Sequence, residues 1–498
     1  MATNIFDNPD LLPQPIGEYR PLDEWQMHVN TIFYGLHGER LRDFYQTFAS
    51  ADYRLAHALA ADYFAQVTKR ENVRRATCEV EPGDALSEVE DAPRASHLAP
   101  RTDQLTVVEL GPGNGNLAAC FLSHLKHLDT DGRIYPRIRY LLVDSQASTI
   151  ERARRHPDLA DHQTKVDTLV ALADSLTGVG DGTVDLIICN ELWNELPTKL
   201  MLRTGGDIEE EFVRPNLNEK RHAEIADWPG FVKAFDLGDI EGLRTFPFAL
   251  EDIVWEREYR KAEGKSLPYR KTITDFLKQI DEKVLVPINL GAMATLKEAK
   301  RVLAPEAVGL SGFDAGTSEL TVLNDPEKPC YGQHGGQFSF MVNFALLEAV
   351  AKQIGMRAVN TESQREFVGR SLGTNVLGLM DVLAMHPSAP SLPPGKQDRL
   401  VLQTIRALNE VYRSPYRRTF DFPLRADLPP DERESLQNLL ASLPAEGIPD
   451  TVAYLTEDEL ERSLRSLDLL GYETEFVKIA LGAPPNPVEY CHFACRPT

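Results

Sequence analysis

The chemistry this sequence can offer is concentrated in acidic residues that stand at the ends of apolar runs. The run Val107-Val108-Glu109-Leu110-Gly111-Pro112-Gly113-Asn114-Gly115-Asn116 closes an apolar stretch with an acid and then turns on three glycines. Glycine permits positive φ and lets the backbone approach a ligand closely. A turn built for a pyrophosphate favours anions at the helix N-terminus that follows it. A carboxylate entering the turn suits a ligand with a cationic or hydroxyl-rich end instead. S-adenosylmethionine (SAM) carries an amino group, a sulfonium and a ribose, and no phosphate. We therefore read the run as a methyl-donor site, with Glu109, Gly111, Pro112, Gly113 and Gly115 as contacts.

A second segment, Cys189-Asn190-Glu191-Leu192-Trp193-Asn194-Glu195-Leu196-Pro197, leaves a buried-looking strand with two carboxylates four residues apart. On a helical turn Glu191 and Glu195 would share a face. Such a pair can hold a guanidinium by charge-assisted hydrogen bonds and aim one nitrogen at a methyl group. Trp193 would wall the pocket or cover a cation. The alternative is a surface turn with two solvated glutamates and a core tryptophan. Asp144, with Ser145 beside it, would accept from ribose hydroxyls, or else cap a helix. Asp174 and Ser175 would sit at the adenine, or else form a helix N-cap. His334, in Gly332-Gln333-His334-Gly335-Gly336-Gln337, is a candidate proton acceptor in a mobile loop, or simply an exposed histidine.

These residues need a scaffold that gathers strand ends. Leu105–Leu110, Ile138–Val143, Thr168–Ala173 and Val184–Cys189 read as strands, alternating with helical patterns at Leu117–His127 and Ser148–Arg155. Alternation of this kind argues for an α/β fold with a parallel sheet. Ligands then bind beyond the carboxyl ends of the strands, where Glu109, Asp144, Asp174, Asn190 and Glu191 all stand. The spacing GxGxG is not the dinucleotide fingerprint GxGxxG, and no GK[ST] follows for a P-loop.

Residues 1–100 read as an N-terminal arm and a helical cap, and 201–285 as a charged, partly helical insertion covering the site. Residues 286–385 resume the core begun at 101–200. Residues 386–498 read as a helical segment closed by a β-hairpin of Glu475–Leu481 and Glu489–Ala494. The formal net charge of −22 disfavours a nucleic-acid or anionic-membrane surface. No apolar stretch has membrane-spanning length and the N-terminus has no apolar signal core, so a cytoplasmic protein is expected. Six cysteines in 498 residues do not suggest a disulfide framework. Cys491 and Cys495 read as buried thiols rather than as a metal site.

The order ELGPGNGNL, VDS at 143–145, CNELWNELP, VLVPINLGAMATLKEA, GFDAG, HGGQFSFMVNFALLEA resembles the MidA family over about residues 105 to 375. These are class I methyltransferases that include a mitochondrial complex I assembly arginine methyltransferase. The resemblance implies a Rossmann-like seven-stranded sheet with an antiparallel last strand, and SAM as cofactor. It implies cofactor contacts at Glu109, Gly111, Gly113 and Asp144. Asn190 and Glu191 match the first two positions of the family's NEFFDALP-like motif, with Asn190 at the cofactor. Asn194 stands where the family has Asp, and Glu195 where it has Ala; both face the acceptor in this reading. Ala315 replaces the Tyr of the family's IDYG segment.

Together these features predict a SAM-dependent methyltransferase acting on nitrogen, in a protein arginine, with Glu191 and Glu195 as catalytic carboxylates and Trp193, Asn194 and His334 at the acceptor. No metal is expected. The rival readings are a small-molecule or peptide methyltransferase, and a donor-binding assembly or interaction protein without turnover.

Overall fold

The computed structural model describes residues 13–38, 47–78, 104–262, 267–417, 420, 422–425, 428–444 and 447–497. Of the expected N-terminal arm and helical cap at 1–100, residues 1–12, 39–46 and 79–100 lie outside them. Two long helices lie near the start of the described chain, α1 (Leu22–His37) and α2 (Arg54–Cys78), with a single helical turn at Phe48–Ala51 between them. The alternating core follows: β1 (Leu105–Leu110), α3 (Asn116–Leu128), β2 (Ile138–Asp144), α4 (Ala147–Arg154), β3 (Val166–Val170) and β4 (Leu186–Asn190). An antiparallel set comes next: β5 (Lys199–Thr204), β6 (Asp207–Leu217), β7 (Ile253–Lys261) and β8 (Val286–Ile288). The core resumes with α5 (Leu290–Val302) and β9 (Gly309–Thr317). A hairpin of β10 (Tyr331–His334) and β11 (Gln337–Phe340) leads to α6 (Phe344–Gln353) and β12 (Arg357–Ser363). Near the end lie α7 (Glu457–Leu469), α8 (Thr474–Gly482) and β13 (Glu489–Arg496).

The main sheet runs β12–β13–β9–β4–β1–β2–β3, with the two-residue strand Val342–Asn343 added beside β9. β13 is antiparallel to both β9 and β12, while β1, β2, β3, β4 and β9 pair in parallel. This is the class I methyltransferase order, as the sequence led us to expect. The chain steps outward from β1 to β2 and β3, then returns to the other side of β1 with β4. The ends of β1 and β4 therefore flank a topological switch point, where open α/β sheets bind ligands.

The sheet is covered on both faces. Every residue of β1 is buried, as a central parallel strand requires. Val108, Leu110, Ile187 and Cys189 pack with Ala292, Met293 and Leu296 of α5 and with Leu347 and Val350 of α6. Val107, Tyr140, Leu142 and Ile188 pack on the other face with Leu55, Leu59 and Tyr63 of α2 and Leu117, Phe121 and Leu125 of α3. Each fully buried Val, Leu or Phe there is worth ~1.5–3 kcal/mol.

One expectation is extended and one corrected. The stretch 201–285 is partly helical as expected, with helices at Glu219–Glu224, Trp228–Leu237 and Arg270–Leu277, but it also holds strands: β5, β6 and β8 form an antiparallel sheet with β7 on the far side of β6. Cross-strand ion pairs hide its alternation: Lys199 meets Glu210, Arg214 meets Glu256, and Arg257 meets Glu211. Lys199 also reaches Asp23 of α1. The expected closing hairpin is half right: Glu489–Arg496 is a strand, but Glu475–Leu481 lies in helix α8. There Val477 and Leu481, four apart, are buried, while Phe476 and Ile479 face outward. The apolar residues read as a strand thus belong to two faces of one helix.

The N-terminal helix joins the second sheet. Trp25, Val29, Ile32 and Phe33 of α1 pack with Val213 and Leu217 of β6 and with Phe338 and Phe340 of β11. Cys491 and Cys495 are free and buried. No helix among the described residues is long and apolar enough to cross a membrane. The described residues contain no group of three or more His, Cys, Asp or Glu arranged to hold a metal.

Candidate functional site

The glycine turn follows β1 at the switch point. Gly111, Gly113 and Gly115 all have positive φ, at 69°, 53° and 84°. The Gly111 amide donates to the Val143 carbonyl at 2.9 Å, which ties the turn to the end of β2. A Cβ on Gly113 would meet nothing within 4 Å, so that side of the turn is open. A Cβ on Gly115 would stand 2.3 Å from the Ala153 carbonyl oxygen of α4. Gly115→Ala therefore adds a backbone clash to a left-handed φ that alone costs ~1–2 kcal/mol. A melting scan with S-adenosylhomocysteine (SAH) present and absent is expected to show a lower melting point and a lost ligand response.

Glu109 is 3% exposed, and its carboxyl accepts from the Tyr140 hydroxyl at 2.9 Å. The alternation of β1 puts Glu109 on the same face as Val107, toward α3. Burial pushes its pKa up to about 7, partly offset by the Tyr140 bond. A raised folded pKa gives stability that is complete below the unfolded value, near 4.5, and is lost as pH rises through about 7. Glu109→Gln removes that dependence. The variant is expected to melt above the wild type at pH 8, with the gap closing at pH 5.

Asp144 stands partly exposed at the end of β2, with Ser145 exposed beside it. One oxygen accepts from the Gln146 amide at 2.8 Å. Burial raises its pKa, and the Gln146 amide works against that rise. Asp174 and Ser175 are exposed in a turn beyond β3. Ser175 bridges back to Leu172 and its hydroxyl meets Thr177, so no helix is capped there.

The acidic turn after β4 is the densest part of the site. Glu191 has φ 47°, a strained value for a side chain of its size. Its amide donates to the Phe313 carbonyl of β9 at 2.7 Å. Its carboxyl is hydrogen-bonded to the Tyr490 hydroxyl of β13 and accepts from the Asn190 amide at 3.4 Å. Asp314, fully buried, accepts the Asn194 amide at 3.0 Å and the Ala315 amide at 2.9 Å, and so fixes the shape of the turn. Burial and the charge of Glu191 drive its pKa well up.

Glu191 and Glu195 do not share a helix face. The segment makes a turn in which the Glu195 amide donates to the Leu192 carbonyl, and the two carboxyls meet different partners. The Glu195 carboxyl accepts from the Tyr34 hydroxyl of α1. Gln337 of β11 donates to the same hydroxyl at 3.1 Å. Burial lifts the Glu195 pKa to about 7, against the Tyr34 and Gln337 hydrogen bonds and with a push from Asp144. The sequence analysis missed Tyr34, Gln337 and Tyr490. The only available signal was Gln26, Asn30 and Tyr34, polar groups four residues apart on an otherwise apolar helix face.

The acceptor-side candidates have these surroundings. Trp193 is 1% exposed and packs on Phe493 and against Gly312, where a Cβ would stand 2.3 Å from its ring. It packs as a core side chain. Asn194 is buried, with its side chain donating to Ser339 at 3.1 Å and its carbonyl accepting from Phe340, so it holds the hairpin. His334 is exposed at the tip of that hairpin, opposite Gln337 across a Gly335–Gly336 turn.

The glycine turn is also braced from outside. Asn114 donates to the Ser50 carbonyl, and Asn116 to the carbonyls of Ala49 and Asp52. Asp52 in turn accepts from the Arg54 and Tyr454 amides.

Residues 93–326 match the family described as "Putative S-adenosyl-L-methionine-dependent methyltransferase". The chain is a SAM-dependent methyltransferase. No curated protein matches the sequence. Among solved structures, the methyltransferase is similar to a Burkholderia thailandensis protein described as a "likely methyl transferase" and bound to S-adenosyl-homocysteine. The two are 15% identical with a TM-score of 0.43, covering 76% of this chain and 80% of that one. A second, uncharacterized B. thailandensis protein is 14% identical with a TM-score of 0.40, covering 87% and 88%. A SAM-dependent methyltransferase from Aquifex aeolicus is 13% identical with a TM-score of 0.24, covering 52% and 76%.

The residues of this methyltransferase fit its donor. The open side of Gly113 leaves room against the backbone. The Asn190 Oδ1 is buried and has no hydrogen-bond partner among the described residues, so an acceptor stands ready at the end of β4. Asp144 offers a carboxylate two strands away. The backbone at Gly111 and Gly113, Asp144 and Asn190 would hold the donor. When bound, it supplies a methyl carbon made electrophilic by the sulfonium.

Proposed function

We propose that this methyltransferase modifies a nitrogen acceptor, the guanidinium of a protein arginine, with Glu191 and Glu195 as the carboxylates that receive it. The carrying observation is the gathering of Glu191, Glu195, Asp314 and Asp144 around one turn, where the charges of Glu191 and Glu195 raise the Asp314 pKa and that of Asp144 raises the Glu195 pKa. Enclosed carboxylates of this kind favour a cationic guest, because each added positive charge relieves their mutual repulsion. The strained Glu191 supports the same reading. The fold holds a bulky acid in a left-handed conformation, at a cost concentrated where function requires it. The resemblance of CNELWNELP to the MidA motif supports a protein acceptor.

In-line transfer needs the nucleophile, methyl carbon and sulfur aligned. Glu191 and Glu195 align the acceptor and stabilise charge on it. The raised proton affinity of Glu195 also lets it take up the proton that the nitrogen sheds. The test is incubation with isotope-labelled SAM and matched arginine-rich and lysine-rich peptides, followed by amino-acid analysis. Methylarginine is expected. Label in lysine alone, or only in small molecules, overturns the arginine assignment, and donor binding with no transfer to any acceptor favours a non-catalytic role.

A further inference from the structure

The helix α1 lies outside the stretch matched to the methyltransferase family, yet it reaches into the acidic turn with three residues of one face. Gln26, Asn30 and Tyr34 follow one another at intervals of four and so line up along α1. Gln26 donates to the Leu196 carbonyl and accepts from the Thr198 amide, both at 2.9 Å. Asn30 donates to the Phe338 carbonyl at 3.0 Å and accepts from the Phe338 amide at 2.9 Å. Each is a two-point clasp between a side-chain amide and one backbone stretch. One grips the chain just after Glu195 and the other grips β11 just after Gln337. Between these fixed points Tyr34 closes a relay in which Gln337 Nε2 donates to the Tyr34 hydroxyl, and that hydroxyl donates to Glu195 Oε2.

We propose that Tyr34 is a positioning residue of this methyltransferase, presented by the clasped helix α1 to orient the Glu195 carboxyl and set its readiness to hold a proton. The proposal rests on the reading of Glu195 as an acceptor carboxylate. Two clasps on one rigid helix leave the Tyr34 ring little freedom to withdraw. A hydroxyl that already accepts from Gln337 has its own proton directed at Glu195. The groups facing that carboxyl are Tyr34 from α1, Gln337 from β11, Asp144 from β2 and Asp314 from β9. Two of them donate toward it or its partner, and two are acids that oppose its ionisation. Removing the Tyr34 hydroxyl leaves the acids in place, so the carboxyl must hold its proton to higher pH.

The experiment follows the Glu195 carboxyl directly, without an acceptor. The full chain is labelled with 13C at the glutamate side-chain carboxyl, the Glu195 signal is assigned by its loss in Glu195→Gln, and it is titrated in wild type, Tyr34→Phe and Gln337→Met. The wild-type midpoint is expected near 7, and both variants are expected to move it upward, Tyr34→Phe by about one pH unit. Calorimetry with SAH on the same samples separates the two levels of the argument. Normal SAH binding with an unmoved midpoint in a folded Tyr34→Phe overturns the positioning role and leaves the methyltransferase reading intact. Failure of all proteins, wild type included, to bind SAH overturns the underlying reading instead. Should Tyr34→Phe fail to fold, Gln337→Met decides: an unmoved midpoint there removes the relay.

Discussion

Glu191→Gln is expected to abolish most methyl transfer while leaving the donor bound. The substitution keeps the shape of the side chain, the strained backbone and the bond to Asn190, and removes only the charge. The proposed donor contacts, Gly111 and Gly113 in the turn after β1 and Asp144 at the end of β2, are untouched. If Glu191 stabilises charge on the acceptor as the methyl group passes, its loss should lower turnover by about 10²–10³-fold, the range for deleting one preorganised electrostatic group. Single-turnover transfer of labelled methyl to the arginine-rich peptide measures the rate, and SAH calorimetry measures the donor. Equal loss in both would mean that Glu191 serves the donor rather than the acceptor. The variant is also expected to melt no lower than the wild type, because a buried acid near Asp314 is exchanged for a neutral amide.

The second large effect lies far from the chemistry. Arg54 makes two parallel hydrogen bonds to Glu459 of α7, at 2.8 and 2.7 Å, and a third to the Tyr454 carbonyl. Both side chains of the pair are over nine-tenths buried. Arg54→Ala strands a buried carboxylate, and breaking such a pair costs about 3–5 kcal/mol. The double replacement Arg54→Leu with Glu459→Gln keeps the helix cap that Glu459 gives to Thr456 while removing both charges. It is expected to recover part of the loss. Urea denaturation checks both expectations. The consequence reaches the site, because the segment Ala49–Asp52 beside Arg54 supplies the carbonyls that hold Asn114 and Asn116 at the glycine turn. Arg54→Ala should therefore weaken SAH binding as well, whereas a pair important only to α7 would leave it unchanged.

The parts of the fold that were legible in the sequence are those whose burial is uniform. β1, β2 and β4 are apolar because helices cover both faces of the sheet, and their ends were readable within a residue or two. The second sheet was hidden because its strands spend their polar faces on cross-strand ion pairs, which mimic a charged helical insertion. α8 was hidden because exposed Phe476 and Ile479 simulate the apolar content of a strand. At the site, the glycine turn, Asp144, Asn190 and Glu191 were placed by motif and strand-end position. The direction in which each side chain points was not. Glu109 turns beneath the sheet to Tyr140, and Trp193 into the core against Gly312. Tyr34 meets Glu195 across 161 residues of sequence, and no local pattern can announce such a contact. Tyr490 reaches Glu191 only because β13 inserts between β9 and β12.

The central claim is that the donor sits between the ends of β1, β2 and β4, held at its ribose by Asp144. Calorimetry with SAH on the wild type and on Asp144→Ala tests it most directly. One-to-one binding to the wild type is expected, weakened about 10–100-fold in Asp144→Ala, equivalent to the ~1.5–3 kcal/mol of hydrogen bonding to a charged group. Wild-type and Asp144→Ala proteins that bind SAH with the same affinity would place the donor elsewhere and contradict the account.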